Sequence, residues 1–332
     1  MYVKRFLMPH KNPFGSTASQ RVRVGISRCL LGEPVRYDGG HRYNGYINKI
    51  LGKCFEFVAV CPEVAIGLGT PRLPLRLVGD AHAPRAVGVN DPGFDVTERL
   101  DEYARSMVEP CRYLSGYLFK RNSPSCGMER VKVFNAGGAP SSAGAGIYAK
   151  RLMTSLPHMP VEDEGRLADP VLRENFVTRV FVYRRWQELE AMGVTLAGLV
   201  RFHIRHRMLI RAHGETGYHG LGRLVASAGT GDINAAARAY VDLLMKTLMR
   251  PATRKQHGNV LAHLAGHLKR DIDAGAGADL VRLIAEYRLG RVPLAVPITV
   301  LKDHFRRYPD PSLGHRLYLD PYPEALELRH LI

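Results

Sequence analysis

The sequence predicts an α/β fold, a Rossmann-like parallel sheet domain carrying the chemistry, followed by a mainly α-helical domain. Three observations carry this. Short apolar runs alternate with turn-rich loops and a helical segment as far as about residue 187, which is the pattern of parallel strands joined by crossovers. From about Thr195 the apolar spacing becomes helical and stays so. Charge marks the same division: Lys and Arg exceed Asp and Glu by nine in residues 1–150 and by nine again in 196–310, with no excess in 151–195 or in the tail. The expected organisation is a flexible leader at 1–20, a first domain at 21–187 and a helical domain at 190–332.

The elements follow in order. Residues 1–20 carry Pro9, Asn12, Pro13, Gly15 and Ser16 without a sustained period, hence the leader. Val22–Ile26 reads as a first strand, and Cys29 lies just beyond it. Phe57–Val60 reads as a second strand, and Cys61 follows at once. Asp95–Cys111 reads as a helix with Val96, Leu100, Tyr103, Ala104 and Met107 on one face. It feeds a third strand over Leu114–Phe119, with Cys126 in the loop after it. Val131–Phe134 is a possible further strand, and the Gly- and Ser-rich run Ala136–Gly146 reads as a loop, either a surface connection or a lid near the cysteines. In the second domain, Leu199–His213 places Arg201 with Arg205, and Arg207 with Arg211, at four-residue spacing, while Phe202, Met208 and Leu209 supply apolar contacts. A helix over Asn259–Arg270 turns Leu261, Leu264 and Leu268 inward and ends on Lys269 and Arg270, with Arg254, Lys255 and His257 before it. Prolines 293, 297, 309, 311, 321 and 323 predict a tail of mostly extended turns.

Composition narrows the function classes. With 332 residues, 45% hydrophobic and 23% charged, the chain can bury a full core and is not a disordered protein. It has neither an apolar run of membrane-spanning length nor the apolar core of a signal peptide, so the cytoplasm is the expected compartment. Five cysteines, an odd number without an export signal, point to reduced thiols used as ligands or buried. A net charge of +16 spread over two bodies points to a polyanion, with nucleic acid as the favoured partner.

If the three strands lie side by side in one parallel sheet, their carboxyl ends share an edge, and Cys29, Cys61 and Cys126 meet there. Each thiol sits in a glycine- or proline-bearing loop: Ser27-Arg28-Cys29-Leu30-Leu31-Gly32, Cys61-Pro62-Glu63, and Asn122-Ser123-Pro124-Ser125-Cys126-Gly127. Such loops let backbone amides approach sulfur, as a cluster requires. Cys54 and Cys111 lie outside them and read as structural. Three thiols suit zinc with an open position or a 4Fe-4S cluster with one iron free; the absence of a close Cys-x-x-Cys pair favours the cluster. The pairs His203/His206 and His263/His267 read as packing or phosphate donors rather than metal ligands. Tyr287 and Arg288 are weaker candidates for contact with RNA.

The strings CLLG with RYDGG, CPE with GLGTPR, and SPSCG, over roughly residues 22–185, resemble the thiouracil desulfidase family (TudS). The strings RFHIRHRMLIRAHG, KQHGNVLAHLAGHLKR and YRLGRVPLAVPIT resemble the YbgA-like domain. Together, in this order, they resemble the fused tRNA 4-thiouridine desulfidases called RudS. The resemblance implies a non-redox hydrolysis in which Cys29, Cys61 and Cys126 hold a 4Fe-4S cluster with one open iron that takes the substrate sulfur. It implies Glu63 as the carboxylate that shuttles a proton and Ser123 as a serine that positions the substrate or the proton transfer. Many standalone members carry a cysteine where Val35 stands, which leaves the three-cysteine set intact. Arg36, Asp38, Arg72 and Arg121 are expected near the substrate, and Arg201, Arg205, Arg207, Arg211, Arg254, Lys255, Lys269 and Arg270 against tRNA phosphates. A desulfidase of free thiobases or nucleosides, and a non-catalytic iron-sulfur RNA-binding protein, are the alternatives.

Overall fold

The structure, a computed structural model, describes residues 21–135, 138–310 and 316–332. The expected leader at 1–20 and residues 136 and 137 of the expected loop lie outside them. The chain divides into two compact units between Ala168 and Asp169.

In the first unit, β1 (Val22–Ser27), β2 (Phe55–Val60), β5 (Tyr117–Phe119) and β8 (Val161–Asp163) form a parallel sheet in the order β2-β1-β5-β8. Val24, Ile26, Leu118 and Phe119 are buried without remainder, as befits strands covered on both faces. Gly25 sits opposite Tyr117 in the register, and a Cβ there would stand 2.3 Å from the tyrosine ring. The expected helix is α3 (Thr97–Cys111), which buries Leu100, Ala104, Met107 and Cys111 along one stripe. Two short helices, α1 (Gly45–Lys49) and α2 (Pro62–Ala65), complete the turns after β1 and β2.

A second sheet was not anticipated. Strands β3 (Leu75–Asp80), β4 (Ala83–Gly88), β6 (Val131–Phe134) and β7 (Pro140–Gly144) run in the order β4-β3-β6-β7. The possible strand at 131–134 belongs to this sheet, and the stretch read as a Gly- and Ser-rich loop is in part β7, paired antiparallel to β6. Leu77, Ala86, Val96, Leu100, Val131, Val133 and Ile147 form its own small core. Helix α4 (Ile147–Ser155) follows.

The second unit begins earlier than the expected boundary at 187. Asp169 caps α5 (Pro170–Ala191), its carboxylate accepting from the Val171 and Leu172 N–H groups, with Pro170 at the first helical position. Val182, Trp186 and Leu189 of this helix then join the core of the helices behind it. These are α6 (Leu196–His213), α7 (Glu215–Ser227), α8 (Ile233–Leu248), α9 (Arg254–His267), α10 (Ala274–Arg288), α11 (Ala295–Arg307) and α12 (Arg316–Leu319). Trp186 stacks on Tyr240 and meets Phe202 edge-on at the centre. The expected helix at 259–270 is α9 with a final 3-10 turn, and Leu261, Leu264 and Leu268 are buried as expected. The tail is less extended than its prolines suggest: Pro297 sits in the first turn of α11, where no backbone N–H is needed, and Ile298, Leu301 and Phe305 anchor that helix. Among the described residues no helix is long and apolar enough to cross a membrane.

Candidate metal centre and its carboxylate

Parallel pairing of β1 with β2 and β5 puts three strand ends on one edge. Cys29 lies in the 3-10 turn that follows β1, Cys61 is the N-cap residue of α2 directly after β2, and Cys126 lies in the loop beyond β5. Cys29 and Cys126 are buried and Cys61 is half-buried. The thiols feel one another. Burial first, then the Cys61 sulfur, pushes Cys29 up to about 11. Burial raises Cys126 far above the usual thiol range, and Cys61 and Cys29 add to it. Cys61 is raised by burial and by Glu63, against the Val64 N–H that faces its sulfur. Ser27 holds Cys126 in the same way through its hydroxyl.

Cys54 and Cys111 stand apart, as expected. Cys54 is half-exposed beside Lys53, and Cys111 is buried on α3 against the Tyr148 hydroxyl. Among the described residues no three His, Cys, Asp or Glu side chains close on a single ion position. The donor set is three soft sulfurs on separate loops, near enough to couple electrostatically.

The Cys126 loop is fixed from behind by α4. Carbonyls of Pro124, Ser125 and Gly127 accept from the N–H groups of Ile147, Ala149 and Gly146, so the first turn of the helix spends its free donors on this loop. A Cβ on Gly146 would stand 2.5 Å from the Ser125 carbonyl carbon and 2.9 Å from the Cys126 nitrogen. Only glycine permits that approach.

Glu63, in α2, is the carboxylate of the site. Its Oε1 accepts from the Ser125 hydroxyl at 2.7 Å, and its Oε2 accepts from Arg72 Nε at 2.8 Å and from the second guanidinium nitrogen at 2.7 Å. The side chains of Arg72 and Glu63 are 6% and 13% exposed, which makes this a nearly enclosed bidentate pair. Arg72 also donates to the Gly69 carbonyl and the Thr70 hydroxyl. Arg72 thus serves the carboxylate, where the sequence had assigned it to substrate.

The serine expected to act, Ser123, is used differently. Its Oγ accepts from the Ser125 and Cys126 N–H groups at 3.2 and 3.0 Å, which is the local turn chemistry of a serine before proline. Ser125 is the serine that reaches Glu63, and sequence reasoning missed it.

The other expected residues divide. Arg36 stands close enough to Cys29 to favour its thiolate and pairs with Asp38 at 3.3 Å. Asp38 is exposed on a turn, and the Gly40 N–H foremost holds its carboxyl below the usual range. Arg121 is exposed, with its backbone N–H on Glu164 and its side chain across Gly165. Lys120, unremarked in the sequence, pairs with Glu164 and favours the Cys29 thiolate.

In the second unit, Arg201, Arg205, Lys255, Lys269 and Arg270 are exposed, and Arg207 is half-buried. Arg211 is paired with Glu215 at 2.7 Å. Arg254 donates to the Tyr287 carbonyl and lies over its ring, so it braces the fold. Tyr287 is 1% exposed and is not placed to stack on RNA. Arg288 is exposed and donates to Asn259. His206 bonds the Phe202 carbonyl, His203 meets the Tyr240 hydroxyl, and His263 and His267 meet edge to face.

Comparison with known proteins follows this division. The family model described as 2-thiouracil desulfurase matches residues 24–164, and a model described as a protein of unknown function, DUF1722, matches residues 207–323. The uncharacterized protein YbgA of Escherichia coli is 29% identical over 158 residues, 47% of this chain and 94% of its own length. The uncharacterized protein YbbK of Bacillus subtilis is 35% identical over 108 residues, 31% of this chain and 71% of its own. A solved structure titled as the [4Fe-4S]-dependent thiouracil desulfidase TudS is 29% identical and covers 45% of this chain and 94% of its own, with a TM-score of 0.36. The thiols and Glu63 all fall inside the first match and the basic helices largely inside the second: the chain belongs to the 2-thiouracil desulfurase family through its first unit, with a DUF1722, YbgA-like domain behind it.

Proposed function

We propose that the protein is a non-redox desulfidase that converts 4-thiouridine in tRNA to uridine and releases sulfide. The observation that carries this is the meeting of three mutually coupled thiols with one carboxylate, Glu63, whose two oxygens are both held by donors. The family supports the reaction class, and the solved relative's title names the cluster for that protein.

The residues fit a 4Fe-4S cluster. Cys29, Cys61 and Cys126 would hold it, all three ligands being soft, with the Ser27 hydroxyl and the Val64 N–H on sulfur to tune it. When bound, such a cluster with a free iron supplies a Lewis acid for the thiocarbonyl sulfur. The protein's own part is proton management. Net, a C=S carbon gains the oxygen of water and loses sulfur as hydrogen sulfide, so water must give up both protons. Glu63 would accept a proton from water and hand it to the leaving sulfur. Arg72 and Ser125 fix its orientation. Ser125→Ala removes one charge-assisted hydrogen bond, worth about 1.5–3 kcal/mol, and should lower kcat by about tenfold or more with iron content and KM retained. Steady-state kinetics on the reconstituted protein check this, and an unchanged kcat would show that Ser125 does not orient Glu63.

Support for tRNA over a free base comes from the charge: an excess of nine in each of residues 1–150 and 196–310, and exposed Arg201, Arg205, Lys255, Lys269 and Arg270 on the helical unit. The test is anaerobic reconstitution with iron and sulfide, incubation with tRNA bearing 4-thiouridine, digestion, and quantification of both nucleosides. The expected result is loss of 4-thiouridine matched by gain of uridine. Conversion of free 2-thiouracil with none of tRNA would move the substrate to thiobases.

A further inference from the structure

The segment after Cys29 leaves the centre and returns to it. Arg42 N–H donates to the Cys29 carbonyl at 2.8 Å and Asn44 N–H to the Leu30 carbonyl at 3.1 Å, so residues 33–41 form a closed excursion. Its tip is a turn in which Gly39 N–H meets the Arg36 carbonyl at 3.0 Å. Its two sides are tied to the other parts of the site: the Cys61 thiol faces the Val35 carbonyl at 3.8 Å, and Arg72 N–H donates to the Tyr37 carbonyl at 2.9 Å. The loop is therefore part of the rim of the thiol centre, fixed to two cysteine segments and to the partner of Glu63.

What this rim displays is unusual for a surface turn. Tyr37 is 42% exposed, Tyr43 is 47% exposed, and Leu73, next to Arg72, is 51% exposed. The Arg36 guanidinium lies 5.2 Å over the Tyr37 ring. Arg42 is exposed beside Tyr43. The nearby carboxylates are already engaged, Glu33 by Arg28 and Asp38 by Arg36 and the Gly40 N–H. Aromatic faces interleaved with cations are the chemistry that receives unstacked nucleotides: rings take the bases and cations take the phosphates. A free thiobase entering the centre has no neighbours to place on such a rim, whereas a nucleotide drawn out of a strand brings two.

We propose that Tyr37 and Tyr43 are stacking platforms for the nucleotides flanking the one delivered to the thiol centre, with Arg42 meeting an adjoining phosphate and Arg36, paired with Asp38, bracing the Tyr37 ring. This rests on the desulfidase reading and makes the rim the device that selects a polynucleotide over a free base.

The test uses the full-length protein and the double variant Tyr37→Ala/Tyr43→Ala, with Tyr37→Phe/Tyr43→Phe beside it. Binding of a fluorescein-labelled oligouridylate is followed by anisotropy at fixed salt, and kcat and KM are measured on tRNA bearing 4-thiouridine. The alanine pair should weaken oligouridylate binding about tenfold or more and raise KM for tRNA with kcat largely kept, and the phenylalanine pair should restore both. Unchanged affinity in the alanine pair, or an equal loss in the phenylalanine pair, would overturn the proposal. Failure of the desulfidase reading is visible separately, as a wild-type protein that converts no 4-thiouridine, and the anisotropy comparison still decides the role of the tyrosines.

Discussion

Cys126→Ala is expected to abolish the proposed desulfuration, by about a thousandfold or more, because it removes one of the three proposed cluster ligands. Lys120 and Arg36 stand near Cys29, and the Glu164 carboxylate beside them is paired with Lys120. The fold should survive, since loss of one buried sulfur costs about 1 kcal/mol on the scale of small truncations. After anaerobic reconstitution the variant should lack the visible charge-transfer absorbance of an iron-sulfur protein, bind little iron, and leave thionucleoside untouched. Cys54→Ser is the contrast, because Cys54 is half-exposed and outside the set; it should load and turn over as the wild type does. A Cys126→Ala protein that loads fully and still releases sulfide would remove this thiol from the centre.

Glu63→Gln is the second large effect and acts on two quantities at once. Loss of the carboxylate proposed to transfer the proton should lower kcat by about 10²–10⁴, with iron content unchanged. The same change strips Arg72, 6% exposed, of its ion-pair partner. Breaking one side of a buried pair costs about 3–5 kcal/mol, somewhat less here because Glu63 keeps 13% exposure. A fall in Tm should accompany the fall in rate. The double variant Glu63→Gln/Arg72→Met separates them: removal of the stranded charge should restore much of the Tm and none of the rate. Recovery of both together would reduce Glu63 to a structural role.

The legible parts of the fold were those with a continuous apolar run or a helical stripe. Val22–Ile26 and Phe57–Val60 announce parallel strands by their apolar runs, although β2, at the sheet edge, is only partly buried, and the stripe of α3 shows at helical spacing. Of the second sheet only Val131–Phe134 was legible; β7 stayed hidden because Pro140–Gly144 is a strand through its pairing with β6, and nothing in Pro-Ser-Ser-Ala-Gly favours one. The start of the helical unit was placed late because α5 is nearly continuous with the strand-helix rhythm before it, and its membership is decided by where Trp186 packs. At the site, cysteine identity and loop context pointed to three thiols, and the structure places all three in segments that follow adjoining parallel strands. Finding the Ser125 contact required the path of the loop, since the two hydroxyls are chemically alike and the loop turns Ser125 to Glu63 while the Ser123 oxygen accepts two amides of its own turn. Tyr287 shows the reverse error: an aromatic beside arginines resembles a stacking surface until its ring is found inside the core.

The attachment of the Cys126 loop to the first turn of α4 bears on how the protein matures. A ligand loop whose carbonyls are already bound by a helix, and whose closest neighbour is a glycine backbone, has nothing to gain in order when iron arrives. Newly made protein would hold the Cys126 thiol on a formed loop before any metal is present, in contrast to small metal-folded domains that are shapeless until filled. Oxygen that strips the cluster would then leave an intact receptacle, open to reloading, in place of an unfolding chain marked for degradation.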